Sequence, residues 1–254
     1  MTAANELLIF DFDGVIVNSV KEVAITAHNA VSNNKVFSLK DLPTGYLDVF
    51  LANRHMVRPA GDFLPFALCC LELGPGSTVS EQDFEARCRA EKNDVKVRTA
   101  KFFESRRAFV DANPEEWLSL HEVYQPLFAE LQRRNADLIV LTNKNRAAVV
   151  RLLTHFDLSA NADWIYSGDG GQTKHQNFAL ILNSHPAKRY YFIDDSLGNL
   201  LSLNQSLDMG EAFVPLLAQW GYVGIEDTAR AKSYGIKCLG QEELIELARG
   251  LASG

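Results

Sequence analysis

Asp11 and Asp13 stand two residues apart at the end of the apolar run Leu7-Leu8-Ile9-Phe10, and Gly14 follows them. A short continuous apolar run of this kind reads as a strand buried on both faces. Ending such a strand in two acids costs free energy unless a cation or a hydrogen-bond network satisfies them. A turn with Asp at a capping position accounts for one acid and for Gly14, but not for the second acid. Two more apolar runs end in polar residues. Asp137-Leu138-Ile139-Val140-Leu141 leads into Thr142-Asn143-Lys144-Asn145, and the run from Arg189 to Ile193 leads into Asp194-Asp195-Ser196. Between them, the Gly-rich loop from Ser167 to Gln172 ends in Thr173-Lys174. In an open α/β sheet, ligands bind at the carboxyl ends of strands, so these residues are expected to converge on one crevice. Their combined chemistry is coherent. Carboxylate oxygens are hard ligands that suit Mg²⁺ joined to a phosphate. An Asp can attack a phosphoryl group, and a second carboxyl can protonate the leaving oxygen and then activate water. A Lys and a Thr hydroxyl can hold the equatorial phosphoryl oxygens.

The elements that must position these groups follow from hydrophobic periodicity. Residues from Val20 to about Asn33 are expected to be helical, with Val23, Ala24, Ala27 and Val31 on one side. From Phe37 to about Leu120 strand-like alternation is nearly absent, and Pro43, Gly45, Pro59, Gly61, Gly74, Pro75 and Gly76 divide the chain into short helices and loops. Ser80 with Asp83 resembles a capping box. It opens what reads as one long helix to about Val110, with Phe84, Cys88, Val95, Phe102, Phe103 and Phe109 available to pack, and Asn113-Pro114 ends it. From His121 on, strands and helices alternate: a helix over 125–134, a second strand with Asn145 as N-cap of the next helix, a short strand over 163–166, a helix to Asn183, a strand at Arg189–Ile193 and a helix to Leu207. Weaker strands near Ala212–Leu216 and Ile236–Leu239 alternate with helices near Ile225–Tyr234 and Gln241–Leu251. The pattern predicts an α/β fold: a doubly wound, Rossmann-like parallel sheet. Its core is expected to comprise residues 1–19 and 119–254, with an all-helical cap inserted over 20–118. No internal repeat or low-complexity tract is visible.

Composition narrows the function classes. The 254 residues are 47% hydrophobic and 22% charged, ordinary for a globular chain, and the net charge of −7 argues against a general nucleic-acid-binding surface. No apolar stretch reaches the roughly 18 residues of a membrane span, and the N-terminus lacks the basic and apolar regions of a secretory signal. Cys69, Cys70, Cys88 and Cys238 show no metal-like spacing and read as small buried hydrophobes in a reducing compartment. A cytoplasmic protein, monomer or homodimer, that binds a small phosphorylated metabolite is the expectation.

The motifs resemble those of the haloacid dehalogenase-like hydrolase superfamily, in its phosphoglycolate-phosphatase-like branch with a helical cap. Asp11-Phe12-Asp13-Gly14-Val15-Ile16-Val17-Asn18-Ser19 is similar to the first family motif, Thr142-Asn143 to the second, Lys174 to the third and Asp194-Asp195-Ser196 to the fourth. The resemblance implies Asp11 as nucleophile and Asp13 as general acid/base. It also implies phosphate binding by Thr142, Lys174 and the Asn143 backbone, and Mg²⁺ held by Asp11, Asp13 through its carbonyl, Asp195 directly and Asp194 as an outer ligand. Asn199 occupies a position where relatives often carry a further acid, a departure expected to weaken Mg²⁺ binding. Asp13 favours phosphoryl transfer over dehalogenation, because halide needs no proton. Lys144 and Lys188 compete for the third-motif role; Lys144 lies too near Thr142 to come from a separate loop, and Lys188 precedes a strand at the wrong end of the sheet. In the cap, Arg54, His55, Arg58 and Asp62 lie in a Pro/Gly-containing segment whose cations read as a carboxylate or second-phosphate site, or, for Arg54 and Arg58 four apart, as one solvated helix face. His28 and His121 read as packing or surface residues. The Gly-rich loop lacks the Gly-Lys-Ser/Thr ending of a nucleotide P-loop, so its glycines are expected to make the turn that delivers Lys174. The leading expectation is a Mg²⁺-dependent phosphatase on a small phosphomonoester. The alternatives are a phosphomutase, a phosphonate hydrolase using Lys21, Lys35 or Lys40, or a catalytically weak binding protein of the same fold.

Overall fold

In a computed structural model that describes residues 4–91, 94–134 and 138–252, the chain opens with β1 (Ala4–Phe10) and β2 (Val17–Asn18). Six helices follow: α1 (Val20–Val31), α2 (Tyr46–Asn53), α3 (Phe63–Glu72), α4 (Glu81–Ala90), α5 (Val95–Ala112) and α6 (Pro114–Ser119). Strands and helices then alternate through β3 (Glu122–Val123), α7 (Leu127–Arg134), β4 (Ile139–Leu141), α8 (Arg146–His155), β5 (Ile165–Tyr166), α9 (Lys174–Ser184), β6 (Ala187–Asp194), α10 (Leu197–Leu207), β7 (Phe213–Ala218), α11 (Asp227–Ser233), β8 (Lys237–Leu239) and α12 (Gln241–Ala252). The chain divides into two compact units, one of residues 1–18 with 123–254 and one of residues 19–122.

The first unit is built on a six-stranded sheet in the order β5-β4-β1-β6-β7-β8, with each neighbouring pair parallel. β1 sits in the middle, and the connections run outward from it in both directions, so the switch point of the topology lies at its carboxyl end. Its register is set by Phe10 opposite both Val140 of β4 and Ile193 of β6. One face of the sheet packs Ile9, Leu141, Phe192 and Leu217 against Phe178 and Ile181 of α9 and Leu200 and Leu203 of α10. Phe178 meets Phe213 edge to face at 5.2 Å. Each such side chain contributes roughly 1.5–3 kcal/mol by leaving water. The polar strand ends are therefore held by a rigid apolar platform.

α7 and α12 of this unit are joined by Glu130, whose carboxylate accepts from Arg133 (2.6 Å) and from Arg249 (2.7 Å). Hydrogen bonds from these guanidiniums lower its pKa from 4.5 to about 2. A depressed carboxylate contributes stability above its unfolded pKa and loses it as pH falls through the folded value. Glu130→Gln should therefore be less stable than wild type at pH 7, by roughly 1 kcal/mol because both Arg partners are half exposed. The gap should close between pH 4.5 and about 2, as read by chemical denaturation across that range.

The second unit is helical. α1 runs through its centre with Val23, Ala24 and Ala27 buried. Phe50 and Phe66 pack at 4.9 Å, and Phe63 and Phe102 stack at 5.1 Å. Glu22, fully buried, is bound by Arg106 through two hydrogen bonds (2.9 and 3.0 Å) and accepts from the Thr26 hydroxyl at 2.6 Å.

Several local expectations are corrected. The long helix read from Ser80 to Val110 is two helices. Ser80 caps the first, and Glu91 leaves it with extended backbone; Asp94 caps the second by accepting from the Val97 N–H at 2.9 Å. A second good N-cap residue restarts the helix where continuous periodicity hides the break. Val95 is exposed, outside the packed set, whereas Phe84, Phe102 and Phe109 are buried. The helix expected from Gln125 begins at Leu127, and the strand expected from Asp163 is only Ile165–Tyr166 after a single 3₁₀ turn. Asp137, read as the start of the second strand, lies outside the described residues. His28 and His121 are buried packing residues: His28 lies edge-on to Tyr46 at 5.6 Å, and His121 bonds through Nδ1 with the Trp117 carbonyl at 2.8 Å.

Candidate active site

The register of β1 places its end beside those of its two neighbours. The Asp11 N–H donates to the Ile193 carbonyl at 2.8 Å, extending the β1–β6 ladder by one residue. Asp11 therefore emerges next to Asp194 and Asp195. On the other side, Thr142 follows β4 and its N–H donates to the Tyr166 carbonyl at 2.9 Å. Lys174 is delivered by α9. Thr173 and Gln176 form a capping box at its start, with Gln176 Oε1 accepting the Thr173 N–H at 2.9 Å. The preceding loop is pinned by Asp169, which accepts from the Ser167 hydroxyl (2.8 Å) and from the Arg146 N–H of α8 (2.9 Å).

Asp11, Asp194 and Asp195 are all buried, with carboxylate oxygens lying within 4.8 Å of one another. Lys174 Nζ bridges Asp11 Oδ1 (2.8 Å) and Asp194 Oδ2 (2.6 Å). Asp194 is also bound by the Ser196 N–H (2.7 Å) and by Asn199 Nδ2 (3.0 Å). Burial pushes the Asp11 carboxyl well above the ordinary range, against the pull of Lys174 and helped by repulsion from Asp194 and Asp195. Burial alone would lower Lys174; Asp11 and Asp194 outweigh it and hold the ammonium above its ordinary value. A cluster this acidic could hold a cation.

The structure joins the remaining expected residues to this cluster unequally. Thr142 is buried, and its hydroxyl accepts the Lys144 N–H at 3.1 Å; Asn143 is exposed next to it. Asp13, partly exposed, is bound at Oδ1 by Lys144 Nζ at 2.9 Å. Lys144, set aside in the sequence as too close to Thr142, is thus buried in the site with a different partner. Asn199, expected only as a missing acid, donates a hydrogen bond that an ionised carboxylate could not make.

Three further residues have no side-chain signature of their own in the sequence. In the loop after β7, Trp220 Nε1 donates to the Val15 carbonyl (3.0 Å), and the Tyr222 N–H donates to Asp195 Oδ2 (2.7 Å). The Tyr222 hydroxyl donates to Asn18 Oδ1 at 3.0 Å. Gly221 permits this approach, since a Cβ there would lie 2.3 Å from the Gly14 carbonyl oxygen. Gly14 has φ +90°, and a Cβ on it would lie 2.1 Å from Asp195 Oδ2. Gly14→Ala should displace either Asp195 or the 14–18 turn, at a cost of roughly 1–3 kcal/mol from backbone strain alone. The check is a thermal melt with and without Mg²⁺: a lower melting temperature and a smaller metal-induced rise are expected.

Of the cap cations, Arg54 is engaged inside its own unit, whereas Arg58 is exposed. Arg54 donates to the Val57 carbonyl (2.9 Å) and lies 4.7 Å over the Phe63 ring; Asp62 pairs with Arg98 at 2.7 Å. Arg54 therefore sits against its own helix unit, not on a solvated face. Lys21 pairs with Glu122, and Lys35 Nζ is bound by the Asn29 and Ser32 carbonyls.

The family model described as "haloacid dehalogenase-like hydrolase" matches residues 6–206. The chain belongs to the haloacid dehalogenase-like hydrolase family. Solved structures share the fold of this hydrolase over nearly its full length. A "predicted phosphatase" from Clostridium acetobutylicum is 14% identical with TM-score 0.60, the match covering 98% of this chain and 100% of that one. A "predicted phosphoglycolate phosphatase" from Haemophilus somnus is 16% identical with TM-score 0.58, covering 98% and 100%. A family hydrolase from Deinococcus radiodurans, with bound phosphate and sodium, is 17% identical with TM-score 0.52, covering 98% of each chain. No curated protein matches this hydrolase significantly in sequence. Among the described residues, no helix is long and apolar enough to cross a membrane.

Proposed function

We propose that this hydrolase is a cytoplasmic, Mg²⁺-dependent phosphatase that cleaves a small phosphomonoester through a phosphorylated Asp11. One observation carries the reading: Asp11 lies within a buried cluster of Lys174, Asp194 and Asp195, and Asp13 follows two residues later with Lys144 on its carboxyl. A single ammonium, Lys174, faces the three clustered carboxyl groups. That all-oxygen donor set suits a hard divalent cation better than a soft metal. Asp11, Asp195 and the Asp13 carbonyl would hold Mg²⁺, with Asp194 behind them. When bound, the ion supplies charge neutralisation at the phosphoryl oxygens.

The residues of the chain do the rest. Lys174, the Thr142 hydroxyl and the Asn143 N–H hold the phosphoryl oxygens. A carboxylate oxygen of Asp11 attacks phosphorus, and the ester P–O bond breaks. Asp13 gives its proton to the departing alkoxide oxygen, then takes one from the water that attacks the phosphoryl group. Phosphate leaves and Asp11 is restored. The presence of Asp13 argues for an oxygen leaving group and against halide. Phosphate bound to the Deinococcus radiodurans neighbour is in keeping with this reading. Substrate selection is assigned to the helical unit of residues 19–122. Free Cys69 and Cys70, buried without a disulfide, fit a reducing compartment.

The test is phosphate release from a panel of phosphorylated metabolites, with and without Mg²⁺. Release from a narrow set, dependent on the metal, is expected; no release from any member overturns the proposal. Metal linkage has its own readout. Mg²⁺ at about 100 times its Kd should raise the melting temperature by roughly 5–10 °C. Asp195→Asn should erase that shift, and an undiminished shift would remove Asp195 from the ligand set.

A further inference from the structure

We infer that Lys144 is the positioning residue of Asp13, fixing its carboxyl so that the proton passed to the leaving group is carried on Oδ2. The inference rests on the phosphatase reading and adds a residue to its machinery. Lys144 Nζ lies 2.9 Å from Asp13 Oδ1; the Lys144 side chain is 0% exposed, whereas that of Asp13 is 25% exposed. The lysine thus reaches the carboxyl from the buried side. A buried ammonium persists only when a partner satisfies it, so this pair is not an incidental surface contact. An ammonium donates and cannot accept. The oxygen it binds, Oδ1, is therefore the acceptor, and a proton on this carboxyl resides on Oδ2.

Both partners are anchored. The Lys144 N–H donates to the Thr142 hydroxyl, at the end of a strand in direct register with β1 through Val140 and Phe10. On the Asp13 side, the Gly14 N–H donates to the Val17 carbonyl at 2.8 Å, closing a turn just after Asp13. The orientation of the carboxyl is thereby set by the sheet. The two lysines divide the work: Lys174 binds Asp11 and Asp194, and Lys144 binds Asp13.

Proton donation matters most when the leaving group is a poor one. The test compares Lys144→Met with wild type on an alkyl phosphate and on p-nitrophenyl phosphate, whose aryloxide departs without a proton. The ratio of alkyl to aryl kcat should fall by roughly 10²-fold, the scale of general acid catalysis, while Lys144→Arg restores part of it. In an Asp13→Ala background, Lys144→Met should not change the ratio further. Should the Met variant not fold, Lys144→Gln carries the same comparison. An active wild type in which every Lys144 variant slows both substrates equally would overturn this inference alone. A wild type that releases phosphate from no member of the metabolite panel nor from p-nitrophenyl phosphate would overturn the phosphatase reading, and this inference with it.

Discussion

Asp11→Asn should lower kcat for phosphate release by at least about 10⁴-fold if Asp11 is the proposed nucleophile, the scale seen when a nucleophile is removed and binding groups remain. The same substitution should leave the folded core intact. The amide has the shape of the carboxyl, and its oxygen still accepts from Lys174 Nζ, which lies 2.8 Å from Asp11 Oδ1. Burial pushes Asp11 upward despite the pull of Lys174, with smaller help from Asp194 and Asp195, so a neutral amide is accommodated there in the metal-free protein. Its melting temperature without Mg²⁺ should therefore match or exceed that of wild type. Loss of activity with stability retained separates a nucleophile from a residue that only supports the fold. Measurable turnover at a tenth of the wild-type rate would exclude Asp11 from that role.

Lys174→Met has the opposite signature: it damages both properties. Its ammonium is buried between Asp11 and Asp194, at 2.8 and 2.6 Å. Removing one member of a buried ionic cluster leaves uncompensated charge and costs roughly 3–5 kcal/mol. Phosphate release should fall by roughly 10²–10³-fold as well if Lys174 is the proposed preorganised donor to the phosphoryl oxygens. If the cluster holds the proposed Mg²⁺, part of the lost stability should return on adding the metal. Urea denaturation with and without the metal, followed by phosphate-release assays, measures both effects. A stability change below about 1 kcal/mol would mean that the Lys174 contacts contribute no more than a surface pair does.

What was legible in the sequence was what local pattern and strand topology control. Apolar runs marked β1, β4 and β6, and the residues that close them, Asp11, Thr142, Asp194 and Asp195, emerge at one edge because parallel strands end on the same side. Asn145 announced the start of α8 through capping chemistry that needs only a few residues, whereas the capping box of Thr173 and Gln176 that starts α9 was not read. Contacts set by register across the sheet were not legible. Lys144 and Asp13 are separated by 131 residues and meet only because Val140 lies opposite Phe10. Tyr222 binds Asp195 through a backbone N–H, which any residue but proline carries, so its type gave no sign. The break between α4 and α5 was hidden because helical periodicity and charge continue across residues 91–94, while the decisive event is a second N-cap at Asp94. Asn199 was read by the acid it lacks, whereas its amide supplies a donor to Asp194.

The most direct measurement traps the phosphorylated enzyme. Wild-type protein with Mg²⁺ and a phosphoryl-labelled substrate identified by the panel is quenched in acid within one turnover and digested, and the labelled peptide is located by mass spectrometry. Label on Asp11, absent from the Asp11→Asn variant, is the expected result. Full turnover with no label on Asp11, or label that persists elsewhere in the variant, would contradict a phosphatase acting through that carboxylate.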